Sequence, residues 1–260
     1  MNKLLNFSKR NVKEILRDPL IYVFCLGFPL VMLVLFQVIN QYTEGNTPMF
    51  ELNSLLPAII MFSYTFVMLT LALLVSKDRQ TFFLKRLYSS PMKSYHFILG
   101  YAFVGLAIGL GQTLVCILSG FIISLVTLVE FISFAQILLL ILSQLPILIT
   151  CVFLGILFGT LFNDKTAPGI CSIFISLSGM LGGCWMPIES MGGFRTFCRF
   201  FPFYPSVYIG RITTGAKELF GNLYTFDLTA WISLLTIFLY MLAATLSSFI
   251  LFEKNMVSDN

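Results

Sequence analysis

The chain is an apolar sequence of 260 residues, of which 58% are hydrophobic and only 11% are charged. A soluble domain carries about a quarter charged residues, so this composition excludes a soluble enzyme and a disordered protein. The net charge of +4 is too small for a protein that binds phosphate backbones, and no nucleic-acid partner is expected. The composition therefore predicts an integral membrane protein.

The N-terminal segment is predicted to form an amphipathic helix over residues 3–18 that lies in the membrane interface. Its basic side carries Lys9, Arg10, Lys13 and Arg17. This side should face anionic headgroups, because the opposite side is a row of apolar residues. The segment is not followed by the small-residue cleavage site of a signal peptide, so we expect the mature protein to retain it. The alternative to an interfacial helix is a basic flank whose charge only determines the orientation of the first membrane span.

Six apolar runs are long enough to cross about 30 Å of hydrocarbon as helices. They are residues 20–40, 55–76, 97–128, 131–162, 168–186 and 228–252. Twelve Lys and Arg residues flank one side of these runs and four flank the other. The positive-inside rule therefore predicts a multi-pass protein of the cell membrane with both termini in the cytoplasm.

None of the six runs contains Asp, Glu, Lys, Arg or His. Ion-coupled carriers commonly place such groups inside the bilayer, so the sequence favours an energy source outside the chain. The single His and the scattered Cys predict no metal site, and no catalytic residue or nucleotide-binding loop is found. The pairs Gly105/Gly109 and Gly155/Gly159 match GxxxG and are predicted to pack helices within one subunit.

The loop after the second run predicts a short cytoplasmic helix over residues 77–91. On a helical projection its charged residues share one face with Phe82, and a second face carries Phe83, Leu84, Leu87 and Tyr88, which suits docking to a soluble partner. The alternative is a solvated basic loop, which explains the charge but not the two faces. The charged residues predicted from this projection to carry the contact are Asp78, Arg79, Lys85 and Arg86.

This loop resembles the first cytoplasmic loop of the type-2 ABC exporter permeases. The matching pieces are Asp78-Arg79, Lys85-Arg86-Leu87 and Ser89-Ser90-Pro91, and Gly100 falls where that family has Gly at the start of the third helix. The resemblance adds Leu87 and Pro91 to the predicted ATPase contact. Phe82-Phe83 replaces the usual Gly-Thr, and Gln80 replaces the second acid. Residues 182–194 and 201–205 resemble the family's outer Gly-x-x-x-Pro segment and the aromatic-Pro stretch that follows it.

The resemblance implies an all-α membrane fold of six transmembrane helices, with one permease domain over residues 1–260. It also implies short re-entrant helices within residues 187–226 that cap the exit of the pathway, against the alternative of a compact outer loop. The cap residues are Gly183, Pro187, Glu189, Phe201 and Pro202. Separately, Cys184 and Cys198 fall on the same outer side and form a candidate disulfide, the alternative being two free thiols.

For function, the resemblance implies the membrane subunit of an exporter rather than an enzyme. The subunit would work as a homodimer or heterodimer with a separate ABC ATPase, which binds the ATP and Mg, and no cofactor is expected in this chain. The uncharged, aromatic-rich runs favour an amphiphilic cargo such as a drug, an antimicrobial peptide or a lipid. The alternatives are a polysaccharide or teichoic-acid permease, an ion-gradient-driven carrier or channel, and a sequestering immunity or sensory protein.

Overall fold

The computed structural model describes residues 2–19, 22–42, 48–80, 94–218 and 221–258. Over these ranges the protein is all-α, and its extended backbone is limited to an isolated bridge between Lys217 and Leu223. The helices in chain order are α1 (Asn2–Ile15), α2 (Tyr22–Tyr42), α3 (Leu52–Gln80), α4 (Ser94–Thr127), α5 (Phe134–Leu161), α6 (Ala167–Leu181), α7 (Gly192–Cys198), α8 (Phe203–Thr214) and α9 (Leu228–Ser258). Short 3-10 turns precede α3 and α7, at Pro48–Phe50 and Ile188–Ser190.

Five of the described helices, α2, α3, α4, α5 and α9, are long and apolar enough to cross a membrane. The run at 168–186 instead becomes α6, a shorter apolar helix of 15 residues. At the α-helical rise this is about 22 Å, less than the thickness of the hydrocarbon core. The helix ends there because the chain turns at Gly182-Gly183, and Gly183 has a φ of +68° that favours glycine. The all-α membrane class is confirmed.

Local sequence signals explain where α5 begins. Ser133 accepts a hydrogen bond from the backbone N–H of Gln136, and the side chain of Gln136 accepts one from the backbone N–H of Ser133. This reciprocal capping box stabilises a helix start, so α5 begins at Phe134 rather than at the predicted residue 131. The run predicted at 97–128 agrees more closely with its helix, Ser94–Thr127.

Helix α3 is the central helix of the bundle, and nearly all of its residues from Leu52 to Asp78 are buried. Helix α5 approaches it most closely where Gly155 and Gly159 face it. A Cβ added at these positions would lie 2.6 Å from the carbonyl oxygen of Met68 and 2.7 Å from that of Ala72. The GxxxG pair of α4 likewise packs against side chains of α3 and α5. The predicted packing role within one subunit is therefore confirmed.

The N-terminal helix α1 packs against the start of α4 through Phe7. The Phe7 ring contacts Phe97 and Tyr101 edge-on, with ring centroids 5.5 and 5.1 Å away. Gly100 makes room for this ring, because a Cβ there would lie 2.4 Å from a Phe7 ring carbon. The apolar side of α1 near Phe7 is therefore covered by protein.

Candidate functional site

Asp78, in the last turn of α3, is a buried carboxylate that is paired with the N-terminal helix. Its two oxygens accept hydrogen bonds from the two Nη atoms of Arg10 at 2.8 and 2.9 Å, and Oδ2 also accepts one from the Tyr101 hydroxyl at 2.7 Å. Arg10 pairs in addition with Glu14, and Glu14 with Lys77, at 2.8 and 3.0 Å. We call these five residues the Arg10 cluster. Because a bidentate Arg–carboxylate pair is strong and geometrically specific, the cluster fixes α1 to the end of α3.

The pairing with Asp78 keeps the guanidinium of Arg10 protonated. Burial lowers the pKa of its guanidinium, but the hydrogen bond to Asp78 and the negative charges of Asp78 and Glu14 outweigh burial and raise the pKa above its ordinary value. The side chain of Arg10 is 34% exposed, whereas that of Asp78 is 2% exposed. The carboxylate is therefore the partner that depends more on the pair, since water still reaches the guanidinium.

The charged residues at the end of α3 point in different directions, because successive residues of a helix are about 100° apart. Lys77 is exposed and reaches Glu14. Arg79 turns towards the end of α5, where it donates to the carbonyl oxygen of Thr160. The structure therefore corrects the prediction of one charged docking face, since Asp78 faces the protein interior. The other four predicted contact residues lie outside the described residues; they are Lys85, Arg86, Leu87 and Pro91.

The basic residues of α1 and of the turn after it fall into two groups. Lys9 and Lys13 of α1 and Arg17 of the turn are exposed and spaced four residues apart, so they follow one side of this segment. Within the part of the chain that the structure describes, these three form no ion pair. Arg10 differs from them, because it points at Asp78. The prediction that all four basic residues face lipid headgroups is thus corrected for Arg10.

At the opposite end of α3, a second buried cation joins four segments of the chain. Arg211 of α8 is 4% exposed, and its Nη1 lies 3.0 Å from a carboxylate oxygen of Glu189. Its Nη2 donates to the carbonyl oxygen of Gly183 at 3.2 Å and its Nε to that of Ser54 at 3.4 Å. Tyr224 donates its hydroxyl to the same Glu189 oxygen. We call these five residues the Arg211 cluster.

The hydroxyl of Tyr224 is held in its donor form. Burial raises the pKa of this phenol; the positive charge of Arg211 opposes the rise, and the carboxylate of Glu189 adds to it. The net result is a pKa well above the ordinary value for tyrosine. Tyr224 therefore stays protonated at neutral pH and continues to donate to Glu189.

The predicted cap residues have different places in this region. Gly183 and Glu189 belong to the Arg211 cluster, and Pro187 directly precedes the turn that carries Glu189. Phe201 packs on another ring of the same segment, and the buried Pro202 directly precedes α8 as its N-cap residue. The prediction missed Arg211 as the centre of this arrangement. A signal was present, because a lone cation in an otherwise uncharged helix needs a partner if it is buried.

Cys184 and Cys198 are both free, buried thiols in the structure. The thiol of Cys184 donates to the carbonyl oxygen of Ala58, 3.3 Å away, which ties the turn after α6 to α3. The structure therefore agrees with the alternative of two free thiols, and it does not contain the candidate disulfide.

A continuous row of aromatic rings follows the contact between α2 and α3. Neighbouring ring centroids are 4.8 to 6.1 Å apart, within the range of favourable aromatic pairs. The row starts at Phe24 near the Arg10 cluster, passes Trp185 in the turn after α6, and ends at Phe50 in the 3-10 turn before α3. It consists of Phe24, Phe66, Phe28, Phe62, Trp185, Phe36 and Phe50. Gly179 leaves room for the indole of Trp185, because a Cβ there would lie 2.3 Å from its Nε1.

Comparison of the sequence with known protein families identifies the family of this chain. Residues 3–214 match the family model described as ABC-2 type transporter. The match starts in α1 and ends at the last residue of α8, so it includes Arg10, Asp78 and Arg211. A search of curated proteins finds no match. Among the described residues, no group of three or more His, Cys, Asp or Glu could hold a metal ion.

Proposed function

Since the chain belongs to the ABC-2 type transporter family, we propose that it is the membrane-spanning subunit of an exporter driven by a separate ABC ATPase. Domains of this family form the transmembrane part of the transporter and not its ATPase. The chain is therefore a multi-pass membrane subunit that requires an ATPase partner. The match over residues 3–214 carries this proposal, in which residues 1–260 act as one permease domain and ATP and Mg are bound in the partner.

In the proposed topology the chain crosses the membrane six times, with both termini in the cytoplasm. Five crossings use the five long apolar helices, and the sixth uses α6 together with the turn that follows it. The proposal is supported by the excess of Lys and Arg around α1 and the end of α3. Helices α7 and α8, with 7 and 12 residues, are too short to cross, which suits the re-entrant cap.

The proposed route of energy transfer enters through the segment 77–91. Its first residues are rigidly held, because Asp78 is bound to Arg10 and Arg79 to Thr160. A push from the ATPase on the following residues would therefore act on α1, α3 and α5 together. Two permease copies and two ATPase copies form the proposed complex, so that closure of the ATPase pair moves both permeases.

The proposed cargo is amphiphilic, such as a hydrophobic drug, an antimicrobial peptide or a lipid. The aromatic row between α2 and α3 supports this class through its partly exposed rings Phe24, Phe28, Phe36 and Trp185, whereas Phe62 and Phe66 are buried in the protein. The predicted membrane runs offer no charge to a hydrophilic ion. Aromatic rings also stack on sugars, so the transport assay should include a polysaccharide precursor as a competing cargo.

The proposal can be tested by reconstituting the full chain with its ATPase in proteoliposomes. ATP-dependent movement of a fluorescent amphiphile is the expected result. Movement driven by an ion gradient without the ATPase would contradict the exporter, and ATPase stimulation by small hydrophilic ions alone would contradict the cargo class. A complex that protects cells although its ATPase is inactive would instead support a sequestering protein.

The docking role of the loop has a separate test. Reversing Lys85 and Arg86 to Glu should weaken co-purification of the ATPase, because the predicted contact loses its positive charge. The matched control reverses Lys165 and Lys254, two exposed lysines elsewhere that should not affect it. If both double variants retain the ATPase equally well, the loop does not dock it.

A further inference from the structure

A cleft with two chemically different parts lies between α1, the start of α2 and the last turns of α3. Its inner part is a cavity of about 90 Å³ whose walls include the apolar side chains of Ile15, Phe24 and Leu73. Its outer part is a wider, open recess of about 870 Å³, lined by charged residues of α1, by residues 17–19 after it and by Lys77. Three residues, Lys77 among them, line both parts, so the cleft changes from apolar to charged along its length.

The charges of the recess do not cancel. Within the Arg10 cluster, the two cations and the two carboxylates balance one another. Lys9, Lys13 and Arg17 also line the recess, and they are exposed and form no ion pair among the described residues. Asp18 is the remaining acid of the lining. Three positive charges against one negative charge leave the recess with a net charge of +2, which attracts an anion.

We propose that this cleft binds one anionic phospholipid. The phosphate lies between Lys13 and Arg17, and the first methylenes of one acyl chain enter the cavity beside Phe24 and Leu73. A phospholipid combines a negative head with an apolar chain in one molecule, as the two parts of the cleft require. That the lipid comes from the cytoplasmic leaflet, where anionic lipids concentrate, rests on the proposed function and its topology; the binding itself does not.

Other occupants fit the cleft less well. The loop of residues 81–93 contains three basic residues and no acid, so its charge does not complement the cationic recess. A free phosphate ion would use the recess but leave the apolar cavity without a ligand. A neutral phospholipid would fill the cavity but would leave the excess positive charge uncompensated.

Native mass spectrometry of the purified full chain, titrated with phosphatidylglycerol or phosphatidylcholine, tests the proposal. One phosphatidylglycerol per chain should bind in clear preference to phosphatidylcholine. Replacing Lys13 and Arg17 with Gln should weaken phosphatidylglycerol binding by about 30-fold, as expected for two cations near a lipid surface. The control Lys165→Gln with Lys254→Gln removes the same charge from exposed positions elsewhere and should retain the affinity.

A second variant tests the apolar part of the cleft. Leu73→Trp places a larger side chain in the cavity and should weaken phosphatidylglycerol binding while the recess keeps its charge. The proposal is overturned if the two lipids bind equally, if both charge variants lose affinity equally, or if inorganic phosphate displaces the lipid at the lipid's own concentration. The assay contains no ATPase, so failed transport in proteoliposomes would contradict the exporter and leave the lipid site standing.

Discussion

Removing either partner of the Arg10–Asp78 pair should cost different amounts of stability. The carboxylate of Asp78 is almost fully buried, and in Arg10→Met it loses both guanidinium N–H donors. Leaving a buried charge without its partner costs about 3–5 kcal/mol. In Asp78→Asn the remaining guanidinium is one-third exposed and still has Glu14 at 2.8 Å, so the cost should be about 1–2 kcal/mol.

The double variant Arg10→Met with Asp78→Asn separates this explanation from a general loss of packing. It contains no buried, unpaired charge, so it should be more stable than Arg10→Met alone. The expected interaction energy between the two sites is about 1–3 kcal/mol. Lys9→Met serves as the control on the same helix, because Lys9 is exposed and its replacement should change stability by no more than about 0.5 kcal/mol.

The four proteins can be compared by unfolding in mixed micelles of detergent and SDS, with helix content followed by circular dichroism. If Arg10→Met does not accumulate at all, recovery of folded protein in the double variant measures the same effect. The reasoning is refuted if Asp78→Asn is the more damaging single change. It is also refuted if the double variant is less stable than Arg10→Met.

Three further outcomes are expected. Gly159→Ala should cost about 1–3 kcal/mol in the same unfolding assay, because its Cβ would press on the backbone of α3, whereas Gly111→Ala meets no atom within 4 Å and should be neutral or slightly stabilising. Arg211→Met should cost about 3–5 kcal/mol and Arg211→Lys less, since lysine keeps the charge but not the forked donors; equal losses would contradict this. Denatured protein that was never reduced should react with maleimide at both Cys184 and Cys198, and a protected pair would reveal a disulfide instead.

The sequence predicted those features of the fold that depend on local pattern. The amphipathic segment forms α1. The GxxxG pairs pack α3, α4 and α5 together, because small residues allow helix backbones to approach closely. The run at 168–186 was predicted less well. Its apolar composition continues to Trp185 and Met186, but the helix stops where Gly182-Gly183 allows the chain to turn. Hydropathy measures composition and does not detect that turn.

The sequence did not predict which charged residues turn inward. A helical projection places Asp78 beside other charged residues of its own segment, but its partner, Arg10, lies 68 positions earlier in the chain. Glu189 and Tyr224, which contact Arg211, likewise lie 22 and 13 positions away from it in the chain. Such pairs are set by tertiary structure, and a single sequence contains no signal that joins them.

The two charged clusters lie at the two ends of one helix, and this constrains how the transporter can move. Ser54 and Asp78 are about 36 Å apart along α3 by its rise per residue. Between them, α3 is in backbone contact with α5 at Gly155 and Gly159, so the two helices cannot slide past each other without separating. A displacement at the Asp78 end must therefore carry α3 and α5 as one body. The Arg211 cluster joins that body to the turn after α6 and to α8, so in the proposed topology a displacement would reach the outer end through this cluster.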